Sequence, residues 1–148
     1  MDLFGALATA IKNKFEGNAA LVAALGGSTG KHSLRMYFKK APEDEGDFKQ
    51  FPYVVYFITT AEREDTLSER GKTLNVQFNI YDSDEDSPDD DSTLNDIYSK
   101  LSELYNESTL TVAGYDHIYM IEMNAIPIPT TDDTQQITVN YEVMLQVS

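Results

Sequence analysis

The sequence offers few side chains that could act as a nucleophile or a general base. It holds two histidines and no cysteine, which excludes a disulfide framework and a thiolate zinc site. His32 lies in a glycine-rich stretch, and His117 directly follows Asp116. No nucleophile-elbow pattern accompanies this Asp-His pair, although a distant serine could still complete a triad. A surface histidine is the expected role, so we predict no enzyme, no catalytic residue and no cofactor.

A second stretch resembles the opening of a calcium-binding loop, with Asp82, Asp84 and Asp86 at alternate positions. Such a loop needs glycine at its sixth position and glutamate at its twelfth. This sequence has Ser87 and Thr93 there. We therefore predict no metal site, with weak adventitious binding of divalent cations as the alternative.

Charge is unevenly distributed along the 148 residues, whose formal net charge is −14. Residues 1–72 hold ten of the eleven basic groups and ten acidic ones, whereas residues 73–148 hold one basic group and fifteen acidic ones. Such a surface repels phosphate and anionic lipid headgroups, which disfavours specific nucleic-acid binding and membrane adsorption. A solubilising acidic surface is the simpler interpretation.

The elements that must position any functional residue can be read from hydrophobic periodicity. Residues 51–60 (FPYVVYFITT) are apolar on both alternating faces, which predicts a central strand with both faces covered. Three-and-four spacing predicts amphipathic helices, and alternation predicts half-buried strands. The predicted helices are 3–16, 19–25 and 93–105, and the predicted strands are 33–40, 51–60, 74–81, 117–126 and 136–147. This order, α-α-β-β-β-α-β-β, predicts a single α+β domain over residues 1–148, with a mostly antiparallel sheet and its helices packed on one face.

The strand predicted at 117–126 places Tyr119, Ile121, Met123 and Ala125 on one face, and the prolines at 127 and 129 are expected to end it. On the opposite side of the last strands, neutral hydrogen-bonding residues stand where a solvent-facing sheet often carries Lys and Glu. These residues are Asn75, Gln77, Asn79, Thr138, Asn140 and Gln146. Chance is one explanation. The other is that a neighbouring copy of the protein covers this face, where uncompensated charge would be costly.

The order of parts resembles the tail terminator, or tail-completion, proteins of phages with long non-contractile tails. The matching pieces are an N-terminal helix, residues 18–27 (NAALVAALGG), a charged loop and residues 51–56 (FPYVVY). An alternating strand at 74–81, a helix at 93–105 and two closing strands that end in residues 141–147 (YEVMLQV) complete the match. The resemblance covers nearly the whole chain, and the acidic run of residues 82–91 departs from it.

This resemblance implies a non-enzymatic virion protein, assembled in the host cytoplasm, that forms a ring, commonly a hexamer, on the tail tube. Such a ring ends tube polymerisation and binds the connector or stopper protein of the head. DNA would then be only passing cargo, which an acidic or neutral bore would not grip. We expect the charged connection at 61–72 and the acidic loop at 82–91 to reach neighbouring subunits or the bore. The candidate residues of the connection are Glu62, Arg63, Glu64, Asp65, Glu69, Arg70 and Lys72, and those of the loop are Asp82, Asp84, Glu85, Asp86, Asp89, Asp90 and Asp91.

Two alternatives stay open at this point. The protein could be another head-tail joining protein, such as a stopper or an adaptor. It could instead be an acidic inhibitor of a basic protein, because carboxylates at phosphate-like spacing can occupy a basic groove. An inhibitor of that kind usually spreads its charge over a rigid surface, whereas the densest charge here lies in one predicted loop.

Overall fold

A computed structural model describes residues 3–25, 36–39, 52–60, 71–83, 92–131 and 134–147. The elements are α1 (Leu3–Glu16), α2 (Ala19–Ala24), β1 (Met36–Phe38), β2 (Tyr53–Thr60), β3 (Gly71–Ser83), α3 (Ser92–Tyr105), β4 (Tyr115–Thr131) and β5 (Thr134–Val147). This is the predicted order of helices and strands. The α+β fold class is therefore confirmed.

The five strands form one sheet in the order β1-β2-β3-β5-β4. All neighbours are antiparallel except β1 and β2, which run parallel. The aromatic run predicted as a central strand is β2, an interior strand beside the three-residue edge strand β1. Val54 and Tyr56 are buried on one face of β2 and Tyr53 and Val55 on the other, which confirms the expected burial on both faces.

The helices all lie on one face of the sheet, where α1 is fixed by two tyrosine hydroxyl groups. Tyr56 of β2 donates to the carbonyl of Ala8 at 3.0 Å, and Tyr105 of α3 donates to the carbonyl of Ile11 at 2.7 Å. Both bonds are buried, so each is worth about 1 kcal/mol net and is costly to leave half-made. The predicted amphipathic helix is thereby held to the sheet and to α3.

The second helix begins where the sequence predicts. Asn18 has an extended backbone, and its Oδ1 accepts a hydrogen bond from the Leu21 amide at 2.9 Å. This satisfies one of the amide groups that the first turn of a helix leaves without a partner. The cap separates α1 from α2 and lets α2 pack on α3.

The core between the helices and the sheet is built around Phe78 of β3. Its ring stacks on Tyr105 at 5.0 Å between centroids and meets Tyr141 of β5 edge to face at 5.6 Å. The ring of Tyr56 lies 5.8 Å from that of Phe78. Burial raises the pKa of all three phenols well above the usual range. The predicted apolar row of β5 is confirmed, because every alternate residue from Ile137 to Leu145 is buried.

The structure corrects the prediction for β4 in two ways. The strand does not end at Ile126 but continues through Pro127 to Thr131. Proline is tolerated because β4 is an edge strand, where a missing amide breaks no ladder on the open side. A register shift between Glu122 and Asn124 also splits the predicted row: Ile121 pairs with Glu142 on one face, whereas Ala125 pairs with Val139 on the core face.

Candidate functional site

The face of the sheet opposite the helices carries the predicted row of neutral side chains. We call it the amide face and define it by Asn75, Gln77, Asn79, Thr138 and Asn140. The register places Asn79 opposite Thr138 and Gln77 opposite Asn140. The prediction that these residues share one face is confirmed by this pairing. Their contact with a neighbouring copy remains a prediction.

The Oδ1 atom of Asn79 is the centre of a hydrogen-bond network on this face. It accepts from Thr138 Oγ1 at 2.8 Å, from Gln77 Nε2 at 3.2 Å and from Gln136 Nε2 at 3.3 Å. Gln136 also donates to Thr138 Oγ1 at 3.1 Å. Asn79 is 6% exposed. The network therefore satisfies the carbonyl oxygen of an almost buried amide without using any charged group.

The network extends to the edge strand. Asn140 Nδ2 donates to Asn124 Oδ1 of β4 at 2.7 Å. By the register, the carboxylates on this face are Glu142 and, at one end, Asp116. Glu142 accepts a hydrogen bond from the Tyr119 hydroxyl at 3.0 Å. The pKa of Tyr119 is raised, mainly by burial and secondly by this hydrogen bond. The described strands thus present a nearly neutral surface in a strongly acidic protein.

An aromatic group borders the network on the β2 side. Tyr53 and Tyr81 stack with centroids 4.9 Å apart, and Tyr37 of β1 lies 6.3 Å from Tyr53. Burial raises the pKa of Tyr53, and the neighbouring phenols Tyr81 and Tyr37 raise it further. These rings add apolar area with polar tips, a composition that is common at protein interfaces.

Sequence reasoning missed the contribution of β4 to this face. Ile121, Ile126 and Ile128 pair across β5 with Glu142, Thr138 and Gln136, which places them on the amide face. Their exposed fractions are 42%, 46% and 38%. The signal in the sequence was the near absence of charge from residue 117 to residue 131, where Glu122 is the single Asp, Glu, Lys or Arg.

Two residues assigned to loops are strand residues instead. Lys72 belongs to β3 and pairs with Leu145, and Asp82 pairs with Gln135 near the other end of the same strand. Lys72 therefore lies on the helix side of the sheet and does not join the amide face. The strand is longer than predicted because the ladder with β5 continues at both ends, past the apolar residues that the alternation marks.

The remaining candidates of the connection and the acidic loop lie outside the described residues. They are Glu62, Arg63, Glu64, Asp65, Glu69 and Arg70, and Asp84, Glu85, Asp86, Asp89, Asp90 and Asp91. His32 lies outside them as well. Within the described ranges, no three histidine or carboxylate side chains are grouped so that they could hold a metal ion.

The histidine that the structure describes has a partner on the backbone. His117 Nδ1 accepts a hydrogen bond from the Leu110 amide at 3.2 Å. Burial lowers the pKa of His117, and nearby Lys14 lowers it too, against the opposing effect of a hydrogen bond with the Tyr119 backbone. The neutral ring therefore holds the segment before β4, a role that needs no chemistry on a substrate.

A second polar cluster, on the helix side, joins α3 to β4. The carboxylate of Glu122 accepts from the hydroxyls of Tyr98 at 2.7 Å, Ser102 at 2.9 Å and Tyr141 at 3.3 Å. The bond to Glu122 is the main reason that the pKa of Tyr98 is raised. Asn106 Oδ1 accepts from the Glu122 amide at 2.8 Å. The cluster explains how a carboxylate is accommodated in the middle of β4, whose other acid, Asp116, lies at its start.

A groove of about 480 Å³ lies between α1 and the segment that precedes β4. None of its lining residues is titratable, so it offers neither a general base nor a charged group for a ligand. Its lining residues are Gly5, Ala6, Thr9, Ala10, Asn13, Thr111 and Ala113. Separately, none of the helices in the described part of the chain is long and apolar enough to span a membrane.

Comparison with known proteins gives similarity of fold. No protein-family model matches the sequence, and no curated protein matches it. Among solved structures, a chain from the virion of a native gene transfer agent (GTA) particle has the same fold, with a TM-score of 0.69, 14% identity and 96% of each chain covered. A second solved structure, a protein that carries only a sequence identifier as its name, gives a TM-score of 0.63 at 12% identity and covers 97% of this chain and 96% of its own.

Proposed function

We propose that this protein is a structural component of a phage-like virion. The observation that carries the proposal is the fold similarity to a chain of a gene transfer agent virion, which extends over 96% of both chains. A match of that extent involves the whole arrangement of helices and sheet and not a single shared motif. Because fold alone does not fix function, the surface of the chain must support the same conclusion.

Within the virion we propose a ring of copies at the head-proximal end of the tail tube, where it ends tube growth and joins the tail to the connector or stopper. The nearly neutral amide face supports this role, because subunit contacts exclude unpaired charge. The acidic remainder also fits a channel through which DNA passes without being held. We propose that the connection of residues 61–72 and the loop of residues 82–91 face neighbouring subunits or the bore.

The test is deletion of the gene in a strain that produces the particles, followed by electron microscopy of the lysate. We expect separate heads and tails, and tails of irregular length, because nothing then ends tube polymerisation. Loss of a stopper or adaptor would instead leave tails of uniform length that fail to join heads. Joined particles of normal appearance would contradict any structural role at this junction.

A matched pair of complementing genes tests the non-enzymatic part of the proposal. The wild-type gene should restore joined particles, and so should a gene that encodes His117→Asn. The asparagine can still accept the bond from Leu110 but cannot act as a general base. If the folded variant enters particles and yet fails to restore them, the histidine has a chemical role and the proposal of a purely structural protein is wrong.

A further inference from the structure

The exposed apolar side chains of the described residues are concentrated on one strand. Among the described residues six large hydrophobic side chains are exposed: five lie on β4, and the sixth, Phe4, lies on α1. Scattered single residues of this kind need no explanation, whereas a contiguous group marks an interaction surface. We define the β4 strip as Ile118, Ile121, Met123, Ile126 and Ile128.

The geometry points to the β4 strip as the surface on which a second copy of this chain packs. This inference rests on the proposed function, because it identifies the residues through which neighbouring subunits of the ring would touch. The strip adjoins the amide face: Ile126 lies opposite Thr138, and Ile128 lies opposite Gln136. Apolar side chains thus border a neutral hydrogen-bond network. This is the usual arrangement of an apolar core with polar surroundings at a protein interface.

The charge of the chain identifies the occupant. Two copies that each carry a net charge of −14 repel wherever their acidic surfaces meet. A basic partner would be drawn to exposed acids such as Asp96, Glu103 and Glu107. Beside the β4 strip it would find Glu142, which lies opposite Ile121 and already accepts a hydrogen bond from Tyr119. The single acid between residues 117 and 131, Glu122, has its carboxylate bound by three hydroxyl groups on the other side of the sheet. On this face the described strands carry two carboxylates, Glu142 and Asp116, so like-charged copies meet little repulsion there.

The contact is made by side chains and not by adding a strand to the sheet. An edge strand of seventeen residues would ordinarily be a template for strand addition. Three register irregularities interrupt β4, between His117 and Tyr119, between Glu122 and Asn124, and between Ile128 and Thr131. Pro127 also has no amide group to donate to a further strand. These features disfavour strand addition along the backbone edge, while the side chains of the strip stay exposed.

The first test compares two substitutions that place the same charge on exposed apolar residues. Ile126→Asp changes a residue of the strip, whereas Phe4→Asp changes a residue of α1, on the other side of the sheet. We expect Ile126→Asp to weaken self-association roughly 100-fold, because the contact would bury an unpaired carboxylate. Phe4→Asp should associate as the wild type does. Sedimentation velocity measures association, and circular dichroism checks that both variants fold. Equal association by two folded variants would overturn the inference.

A second test identifies the neighbour directly and does not depend on the strength of association in dilute solution. A photo-crosslinking amino acid replaces Ile126 in an equal mixture of ¹⁴N- and ¹⁵N-labelled chains, and mass spectrometry reads the linked peptides. Mixed-isotope links in solution, or links between two copies in assembled particles, support the inference. Links only within one chain, links only to a different virion protein, or no links in either setting would overturn it.

These outcomes separate the contact from the function. If the chain is absent from particles but forms mixed-isotope links, the copy-to-copy contact stands and the virion role fails. If the chain is present in particles and Ile126 links only to another protein, the virion role stands and the identity of the occupant is wrong.

Discussion

The substitution Asn79→Asp tests whether the amide face is a subunit contact. In the single chain, an aspartate at this position can offer an oxygen to the same three donors, which lie 2.8–3.3 Å from Asn79 Oδ1. Hydrogen bonds to a carboxylate are stronger than those to an amide, which offsets part of the cost of desolvating the charge. We therefore expect the chain to fold, with a loss of about 1–2 kcal/mol in the free energy of unfolding.

The same substitution should carry a further cost where two copies meet. Lys72 is the one Lys or Arg within the described strands, and it lies on the helix side, so none of these strands supplies a countercharge on the amide face. Because this side chain is already almost buried in the single chain, excluding its remaining water would cost about 1.4 kcal/mol per contact, or roughly a 10-fold weaker association. Self-association is measured by sedimentation, and joining of heads to tails is measured by complementation of the deletion strain.

The matched control is Asn95→Asp, which makes the same chemical change and gives the same net charge. Asn95 is exposed in the first turn of α3, where a carboxylate interacts favourably with the helix dipole. This variant should fold and assemble normally. If both variants fold and assemble equally well, the amide face is not buried between copies, and its neutrality has another cause.

Three further predictions concern stability. Burial raises the pKa values of Tyr56, Tyr105 and Tyr141, so the stability that these phenols contribute is complete below pH 10 and is lost as the pH rises above it. The slope should be about 1.4 kcal/mol per pH unit for each phenol, and equal urea midpoints at pH 9 and pH 11 would disprove this. Glu122→Ala removes the acceptor of three hydroxyls and should cost about 2–3 kcal/mol in urea unfolding, with Glu122→Gln costing less because one oxygen remains. Gly114 has φ +84° with nothing near its missing Cβ, so Gly114→Ala should cost about 1 kcal/mol through backbone strain alone and Gly114→Asn less. An alanine variant with wild-type thermal stability would contradict that reasoning.

The parts of the fold that could be predicted from the sequence depend on local rules. The alternating row of β5, the apolar stripe of α3 and the Asn18 cap each follow from residues a few positions apart. The shared face of Gln77, Asn79 and Thr138 was also predictable. It requires only that two alternating strands turn their apolar sides to the same core.

The errors arose where a residue's structure depends on its neighbours in space. Pro127 ends a central strand but not an edge strand, and the sheet order that makes β4 an edge is not written in any local pattern. The shift after Glu122 moves Ala125 to the core face, which alternation alone does not reveal. The hydroxyl partners of Glu122 lie up to 24 residues away in sequence. No spacing rule joins them.

The two faces of the sheet respond to different physical demands, and this difference argues against chance as the source of the neutral residues. A face that met only water would gain solubility from charge and lose nothing by carrying it. Here the strands place little charge on one face: Lys72 lies on the helix side, Glu122 is bound there by hydroxyl groups, and Glu142 and Asp116 are the two carboxylates on the amide face. Isoleucines stay exposed beside a network of uncharged amides. This distribution is costly for a chain that remains alone in solution and favourable for one whose face is covered when copies assemble.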